Sequence, residues 1–539
     1  MNIVFFVKAL LAFALLFSSV SAYSQTLYLI GGALKTCSSM APRNCTPNAQ
    51  FPDIAKTHAN FIVTKKAMKE IAALWPSNSQ KRFNRTMRLL RRIPKDKIFT
   101  RSQLIKAINQ HDSELYHQWS NREYYFIFDM LELPLMVNGK RVAELVLTKY
   151  NSEPASSDII QQIATQVAKT PSQSLYLLTA SSRDPYESAD FYQGLFKAYG
   201  IKAQWLPLTP ALAQAVSNQD CENLDHYRTS INQVFNRDYV YPDLTTKEYN
   251  LCMAGVEGVK KALQSVDAVM LNGGDQSLTR QVFYHNQSDA ELPWTDMVRN
   301  KAVLIGTSAG TAVQSGGENQ YGRVPMITNG SSIEALLQGA KNAPAPAANC
   351  DQHGGCEDLS ADTLTYHDQG GLGSFNHGIL DTHFSERGRT FRLAVLTQHS
   401  KQKFGFGVDE TTALVVDTRK QQMQVIGKAG VVVTKVLGQN QFSYSFYPGG
   451  SEFTMAQLIE QQHQTEAQAN DTRRTEVVEN LVEEERMRAT AQRLCDNGNL
   501  QVIASSDDLP RITIGRSAKT TCIKQPSGQY VVKDMQISW

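Results

Sequence analysis

Ala302-Val303-Leu304-Ile305-Gly306-Thr307-Ser308-Ala309-Gly310 is the stretch from which the rest of the chain can be read. Four apolar residues run into a turn with a glycine two positions before a serine and another two positions after it. This is G-x-S-x-G, set after an apolar strand and before a predicted helix, as the motif requires. The glycines relieve crowding in a tight strand-to-helix turn. The Ser308 hydroxyl then projects above the sheet, and the backbone N–H groups that follow stay free for a developing oxyanion. Taken alone, such a match is often structural.

The same rhythm recurs on both sides. Thr26 to Ile30 ends in Gly31-Gly32, and Leu175 to Leu178 runs into Thr179-Ala180-Ser181-Ser182. Phe191 to Tyr199 reads as a helix stopped by Gly200, followed by a strand over Ile201 to Leu206. Ala268 to Leu271 ends at Asn272-Gly273-Gly274-Asp275-Gln276. Strand, small-residue turn, helix predicts an α/β domain, a mostly parallel sheet sandwiched by helices. Ligands gather at the carboxyl ends of such strands, where both glycine-rich turns stand.

Residues 38–152 are far more than a βαβ connection needs and are expected to form an inserted, mostly helical subdomain. Its basic run from Lys81 to Arg92 carries Phe83, Met87 and Leu90 at helical spacing, which favours an amphipathic helix with solvated charges over a grip on a polyanion. Beyond Tyr447, Met455 to Arg493 is rich in Gln, Glu and Ala and predicts one or two helices. Leu500 to Ile503, Arg511 to Ile514 and Tyr530 to Val532 predict a small β appendage closed by Cys495 and Cys522. The expected division is 1–22 signal peptide, 23–37 with 153–454 catalytic domain, 38–152 insert, and 455–539 C-terminal helix and β appendage.

Lys8, the apolar run Ala9 to Phe17 and the small-residue pattern Val20-Ser21-Ala22 predict a cleavable signal peptide, hence a secreted or periplasmic protein. The run is short of the roughly 20 residues a spanning helix needs, so stable membrane insertion is not expected. All eight cysteines lie beyond the cleavage point and allow up to four disulfides. Short separations favour Cys37 with Cys45, Cys350 with Cys356 and Cys495 with Cys522. Cys350, His353 and Cys356 could also offer metal ligands, but no fourth stands at an expected spacing. A formal charge of +3 gives no reason for a nucleic-acid partner, and 42% apolar residues suffice for a buried core.

Four blocks in fixed order resemble the cyanophycinase family of serine peptidases, relatives of the aspartyl dipeptidases. They are Leu27-Tyr28-Leu29-Ile30-Gly31-Gly32; Gly273-Gly274-Asp275-Gln276; the elbow Gly306 to Gly310; and Asp381-Thr382-His383-Phe384-Ser385-Glu386-Arg387-Gly388-Arg389-Thr390-Phe391-Arg392. A fifth, weaker block runs from Gly405 to Leu414. The resemblance covers roughly 26–37 and 171–447. It implies a class I glutamine amidotransferase-like, flavodoxin-like fold and an exported serine hydrolase that cleaves β-aspartyl (isoaspartyl) peptide bonds. The implied substrate is cyanophycin, degraded to β-aspartyl-arginine. No metal or organic cofactor is required. A homodimer is also implied, though segments as large as those added here could block or replace its interface.

The roles follow the matching positions. Ser308 is the nucleophile, and His383 is the base nominated by the resemblance, with His377 its competitor. An acid should orient the imidazole; Glu334 falls closest to the family's place, with Glu318 as fallback. The oxyanion donors are expected at Ala309 and in the turn at Gly274. Gln276 matches the family glutamine beside the substrate, with pinning of the glycine turn as its structural role. Arg387, Arg389 and Arg392 match a cluster suited to a free carboxylate, although not all three can point inward. Asp381 is a candidate for a substrate cation or for tethering an arginine. Thr382 departs from the family's glutamine and leaves substrate detail open. Asp409-Glu410 is rejected as a paired-carboxylate site, since adjacent strand residues face opposite ways. The rivals are a secreted peptidase acting on other aspartyl or isoaspartyl peptides, and a binding protein that keeps the fold without catalysis.

Overall fold

A computed structural model describes residues 25–460 and 474–539, apart from 96, 287, 348–349, 352–354, 499 and 506–508. The expected signal peptide and part of the expected C-terminal helices (461–473) lie outside the described residues. Seventeen strands build two sheets, numbered here in chain order. They are β1 (Thr26–Ile30), β2 (Ser174–Leu178), β3 (Lys202–Trp205), β4 (Ala268–Leu271), β5 (Val303–Thr307), β6 (Ile379–Thr382), β7 (Phe404–Val408), β8 (Thr412–Asp417) and β9 (Gln422–Gly427). The remainder are β10 (Gly430–Gly438), β11 (Gln441–Pro448), β12 (Glu452–Thr454), β13 (Arg474–Val478), β14 (Leu500–Ala504), β15 (Ile512–Gly515), β16 (Thr521–Lys524) and β17 (Tyr530–Ser538).

The first sheet has the order β12-β9-β8-β1-β5-β4-β2-β3. From β1 to β3 every pairing is parallel, and β8, β9 and β12 complete it antiparallel. Every residue of β4 and β5 is buried, as unbroken apolar strands covered on both faces must be. One face packs Leu27, Leu29, Val269 and Leu304 into the largest core. The other packs Tyr28, Met270 and Ile305 against Ile159, Ile160 and Ile163 of α2 (Pro154–Ala168), a helix started by Pro at its first turn and capped by Glu153. The chain visits β3 on one side of β2 and β4 on the other, so a crevice opens at their carboxyl ends.

The 38–152 stretch builds a core of its own around Phe61, Leu90, Leu104, Trp119 and Phe128. Its basic helix, α1 (Gln80–Arg92), buries Met87, Leu89 and Leu90 and exposes Lys81, Arg88, Arg91 and Arg92. Ion pairs fasten this body to the parallel sheet's loops: Arg237 with Glu132 at 2.9 Å and Arg183 with Asp129 at 2.9 Å.

The second sheet runs β6-β7-β10-β11-β17-β15-β14-β13, with β16 beside β17. The C-terminal strands are therefore not a detached appendage. β17 pairs with β11 from Gln441↔Ser538 to Phe446↔Val532, and a register shift between Tyr444 and Phe446 lets Val532, Met535 and Ile537 complete the apolar face begun by Phe442, Tyr444 and Phe446. Within the expected helical stretch, 474–478 is a strand, β13; α6 (Arg486–Asp496) is the helix that follows. Four disulfides join Cys37 to Cys45, Cys221 to Cys252, Cys350 to Cys356 and Cys495 to Cys522, a density that fits folding in an oxidising compartment. Among the described residues no helix is long and apolar enough to cross a membrane.

Candidate active site

The carboxyl ends of β1 and β5 in the first sheet and of β6 and β7 in the second meet at Gly31-Gly32. Three backbone bonds fasten the turns there: Ser308 N–H donates to Ile30 O, His383 N–H to Gly31 O and Thr411 N–H to Gly32 O, each at 2.9 Å. Neither glycine can carry a side chain. A Cβ on Gly31 would lie 2.0 Å from Asp409 O, and one on Gly32, at φ +106°, would lie 2.4 Å from His383 Cε1. The imidazole thus rests on bare backbone. Ser308 Oγ is 2.8 Å from His383 Nε2, and His383 Nδ1 is 2.7 Å from Glu410 Oε1.

A carboxylate only accepts, so Nδ1 carries the imidazole proton and Nε2 is left to accept from the Ser308 hydroxyl. His383 is 8% exposed. Burial pulls its pKa below the ordinary histidine value; the Glu410 hydrogen bond opposes this, and the Arg387 and Arg389 cations add to the depression. The result is a neutral ring at neutral pH, the state in which it can take a proton.

The acid on His383 is Glu410, where Glu334 was expected. Glu334 stands in the first turn of α4 (Ser332–Gln338), its N–H donated to Ser331 Oγ at 3.1 Å. The fallback, Glu318, is exposed on a hairpin and paired with Arg323 at 3.1 Å. Sequence reasoning weighs Glu410 only together with Asp409, as a paired-carboxylate site, on the premise that the pair lies on a strand. It does not: β7 ends at Val408 and β8 starts at Thr412, and in the intervening turn Asp409 and Glu410 turn to different partners. The signal was its place in the fifth family-like block, one residue past a buried acid. His377 packs edge-on against Phe375, 5.3 Å between ring centres, and is not the Ser308 partner.

The Gly273-Gly274 turn lies against the serine, since a Cβ on Gly273 would be 3.2 Å from Ser308 Cβ. Gly274, at φ +145°, has no room for one, with Ser181 O 2.1 Å away. Gly273 N–H is occupied by the Tyr192 hydroxyl at 3.2 Å, whereas among the described residues no protein acceptor meets the N–H of Gly274 or Ala309. Gln276 spends its amide nitrogen on Ile327 O at 2.8 Å and Thr328 O at 3.0 Å, so it pins this turn to the neighbouring strand.

Asp381, 1% exposed, is committed to Arg392, which donates through Nε at 2.8 Å and Nη2 at 2.6 Å. Burial disfavours its charge, but the Arg392 and Arg389 cations outweigh burial and hold its pKa below the ordinary value. Of its two candidate roles, tethering is the one made. Arg392 also donates to Gly330 O, and Thr382 is buried, its carbonyl accepting from Arg389 at 2.7 Å. Burial, with Arg392 close by, draws the Arg389 pKa down to about 9. Arg387 is exposed at the rim. Arg387 and Arg389 therefore give the approach to His383 a positive potential, and Arg392 serves the interior.

At the carboxyl ends of an α/β sheet, then, a serine, a histidine and a glutamate share one line of hydrogen bonds. No family model matches the chain. Among curated proteins it matches the cyanophycinase of Nostoc sp. (strain PCC 7120 / SAG 25.82 / UTEX 2576), 28% identical over 180 residues, 32% of this chain and 47% of that one. The cyanophycinase of Trichormus variabilis (strain ATCC 29413 / PCC 7937) matches with the same identity and coverage. The chain thus spans about half the length of the curated relatives it matches. A solved structure described as a peptidase from an acI-B1 Actinobacterium aligns with a TM-score of 0.33 and 16% identity, over 56% of this chain and 92% of that one. By sequence, about a third of the chain is similar to curated cyanophycinases.

Proposed function

We propose that this protein is an exported serine-type peptidase whose substrate is cyanophycin, a poly-aspartate with arginine on each β-carboxyl, cut at the amides between aspartyl units. The observation that carries this is the unbroken line Ser308 Oγ–His383 Nε2–Nδ1–Glu410 Oε1 at 2.8 and 2.7 Å. Ser308 Oγ attacks the main-chain carbonyl of an aspartyl unit that bears arginine on its β-carboxyl, as its proton passes to His383 Nε2. The oxyanion is received by Ala309 and Gly274 N–H. His383 returns the proton to the leaving amine, the C–N bond breaks, and a seryl ester remains. Water, deprotonated by His383, then attacks that ester and restores the serine. Glu410 holds the ring and stabilises its charged form throughout.

Arg387 and Arg389 suit the free α-carboxylate of the arginine carried on each aspartyl unit. The parallel strand order of the first sheet, with its crevice between β2 and β4, supports a class I glutamine amidotransferase-like fold. The disulfides support export.

The test is the release of soluble β-aspartyl-arginine from purified cyanophycin, with Ser308→Ala alongside. Release by the parent and a loss of up to about a millionfold in the variant is the expected result. Release by neither removes cyanophycin. Cleavage of other isoaspartyl peptides would then mark the second substrate class, which the buried Thr382, standing where the family has glutamine, favours.

A further inference from the structure

Glu410 reaches His383 from a three-residue turn, and a second row of charges holds that turn. Asp409, 0% exposed, accepts Ser385 N–H at 2.9 Å through one oxygen and Arg488 Nη1 at 2.6 Å through the other. Glu386 accepts Glu410 N–H at 3.0 Å and lies 3.3 Å from the same Arg488 nitrogen. Arg488 Nη2 bonds Glu485 at 2.8 Å, and Glu485 N–H donates to Ser385 O at 2.6 Å. One guanidinium therefore grips both carboxylates that fix the backbone around His383 and Glu410.

Arg488 belongs to α6, 79 residues beyond Asp409 and outside the stretch with family-like motifs. The same segment closes on the site through Gly388, where an added Cβ would meet Val482 O at 2.3 Å. Burial pushes the Asp409 carboxyl up, and burial together with Asp409 pushes Glu386 up to about 7. The buried Tyr444 hydroxyl nearby is raised by burial and by Asp409, so it adds no charge. Without the cation, two carboxylates would face each other in a buried turn, a cost relieved only by protonation or by movement of the turn.

We propose that Arg488 is a positioning residue: by clamping Asp409 and Glu386 it fixes Glu410 against His383, and so makes the C-terminal region part of the hydrolytic site. The proposal rests on the roles given above to Ser308, His383 and Glu410.

The test is the rate at which a fluorophosphonate modifies Ser308, followed across the histidine pH range and located by peptide mass. The proteins are the full chain, Arg488→Met, Arg488→Lys and Asp409→Asn, with circular dichroism as the check on folding. Arg488→Met should be slower by about ten- to hundredfold, the cost of a misplaced catalytic group. Its acid limb should move to higher pH, because uncompensated carboxylates favour the imidazolium. Asp409→Asn should also be slower, but with its limb moved to lower pH, because one of the carboxylates that balance Arg488 near His383 is lost. Arg488→Lys should recover part of the rate.

A folded Arg488→Met with the parent's rate and limb overturns the proposal, as does a slower rate with an unmoved limb, which marks a merely structural contact. If Arg488→Met does not fold, Asp409→Asn decides by the same criteria. A parent chain left unmodified at Ser308 overturns the serine reading, and this proposal with it. Modified parent and matching variants overturn this proposal alone.

Discussion

Ser308 and His383 both hold a left-handed backbone, φ 53° and 47°, which non-glycine residues adopt only where the surroundings impose it. Each such residue costs about 1–3 kcal/mol. Here the cost is offset by the bonds to Ile30 O and Gly31 O that aim the two side chains at each other. Ser308 and the glycine turns were legible in sequence because a strand-to-helix elbow needs glycines at fixed spacing. The acid was not, because its register depends on where one strand stops. Glu410→Gln keeps the shape but offers an amide where a pure acceptor is needed. It should lower kcat by about 10⁴-fold, as exchange of a triad acid for its amide does. Glu334→Gln should leave kcat close to the parent's. Equal losses in the two variants, measured on one substrate, would return the role of acid to Glu334.

At the scale of elements, β1 and β4 are the runs the apolar pattern marks, and β2, β3 and β5 differ from it by a residue or two. Buried parallel strands announce themselves through continuous apolar sequence. The second sheet does not, because its strands alternate and alternation says nothing about which strand pairs with which. Tyr530 to Val532 reads in sequence as part of a small β appendage, yet β17 lies between β11 and β15. Ile537, 0% exposed, packs in the same core as Phe442 and Leu500. Ile537→Ala should therefore cost about 2–5 kcal/mol, the range for a buried large-to-small change. Denaturant unfolding measures it, and a cost under about 1 kcal/mol would mean that β17 is peripheral after all.

Over the whole molecule, the four disulfides do unequal work. Cys221–Cys252 and Cys495–Cys522 close separations of 31 and 27 residues, and the other two close only 8 and 6. Loop-closure entropy assigns about 3–4 kcal/mol to each long pair and about 2 kcal/mol to each short one. Replacing Cys221 and Cys252 with alanine should thus lower the denaturation midpoint further than replacing Cys350 and Cys356. The reverse order would show that strain or packing outweighs chain entropy. Cysteine separation made three of these pairs legible. The fourth needed the fold, because Cys221 and Cys252 flank several short helices that only tertiary packing folds back on each other.

The position of β1 also sets a timetable. Its neighbours are β5 and β8, and the bond from Thr418 to Gln25 joins residues 393 apart. At about 5–20 residues per second, the ribosome needs roughly 20 to 80 s to span that interval. Throughout it, Gly31-Gly32 has no Thr412 or Thr411 to bond, and His383 has no glutamate. A nascent chain thus carries Ser308 before it carries His383 and Glu410, and the hydrogen-bonded line that joins them closes only late in synthesis.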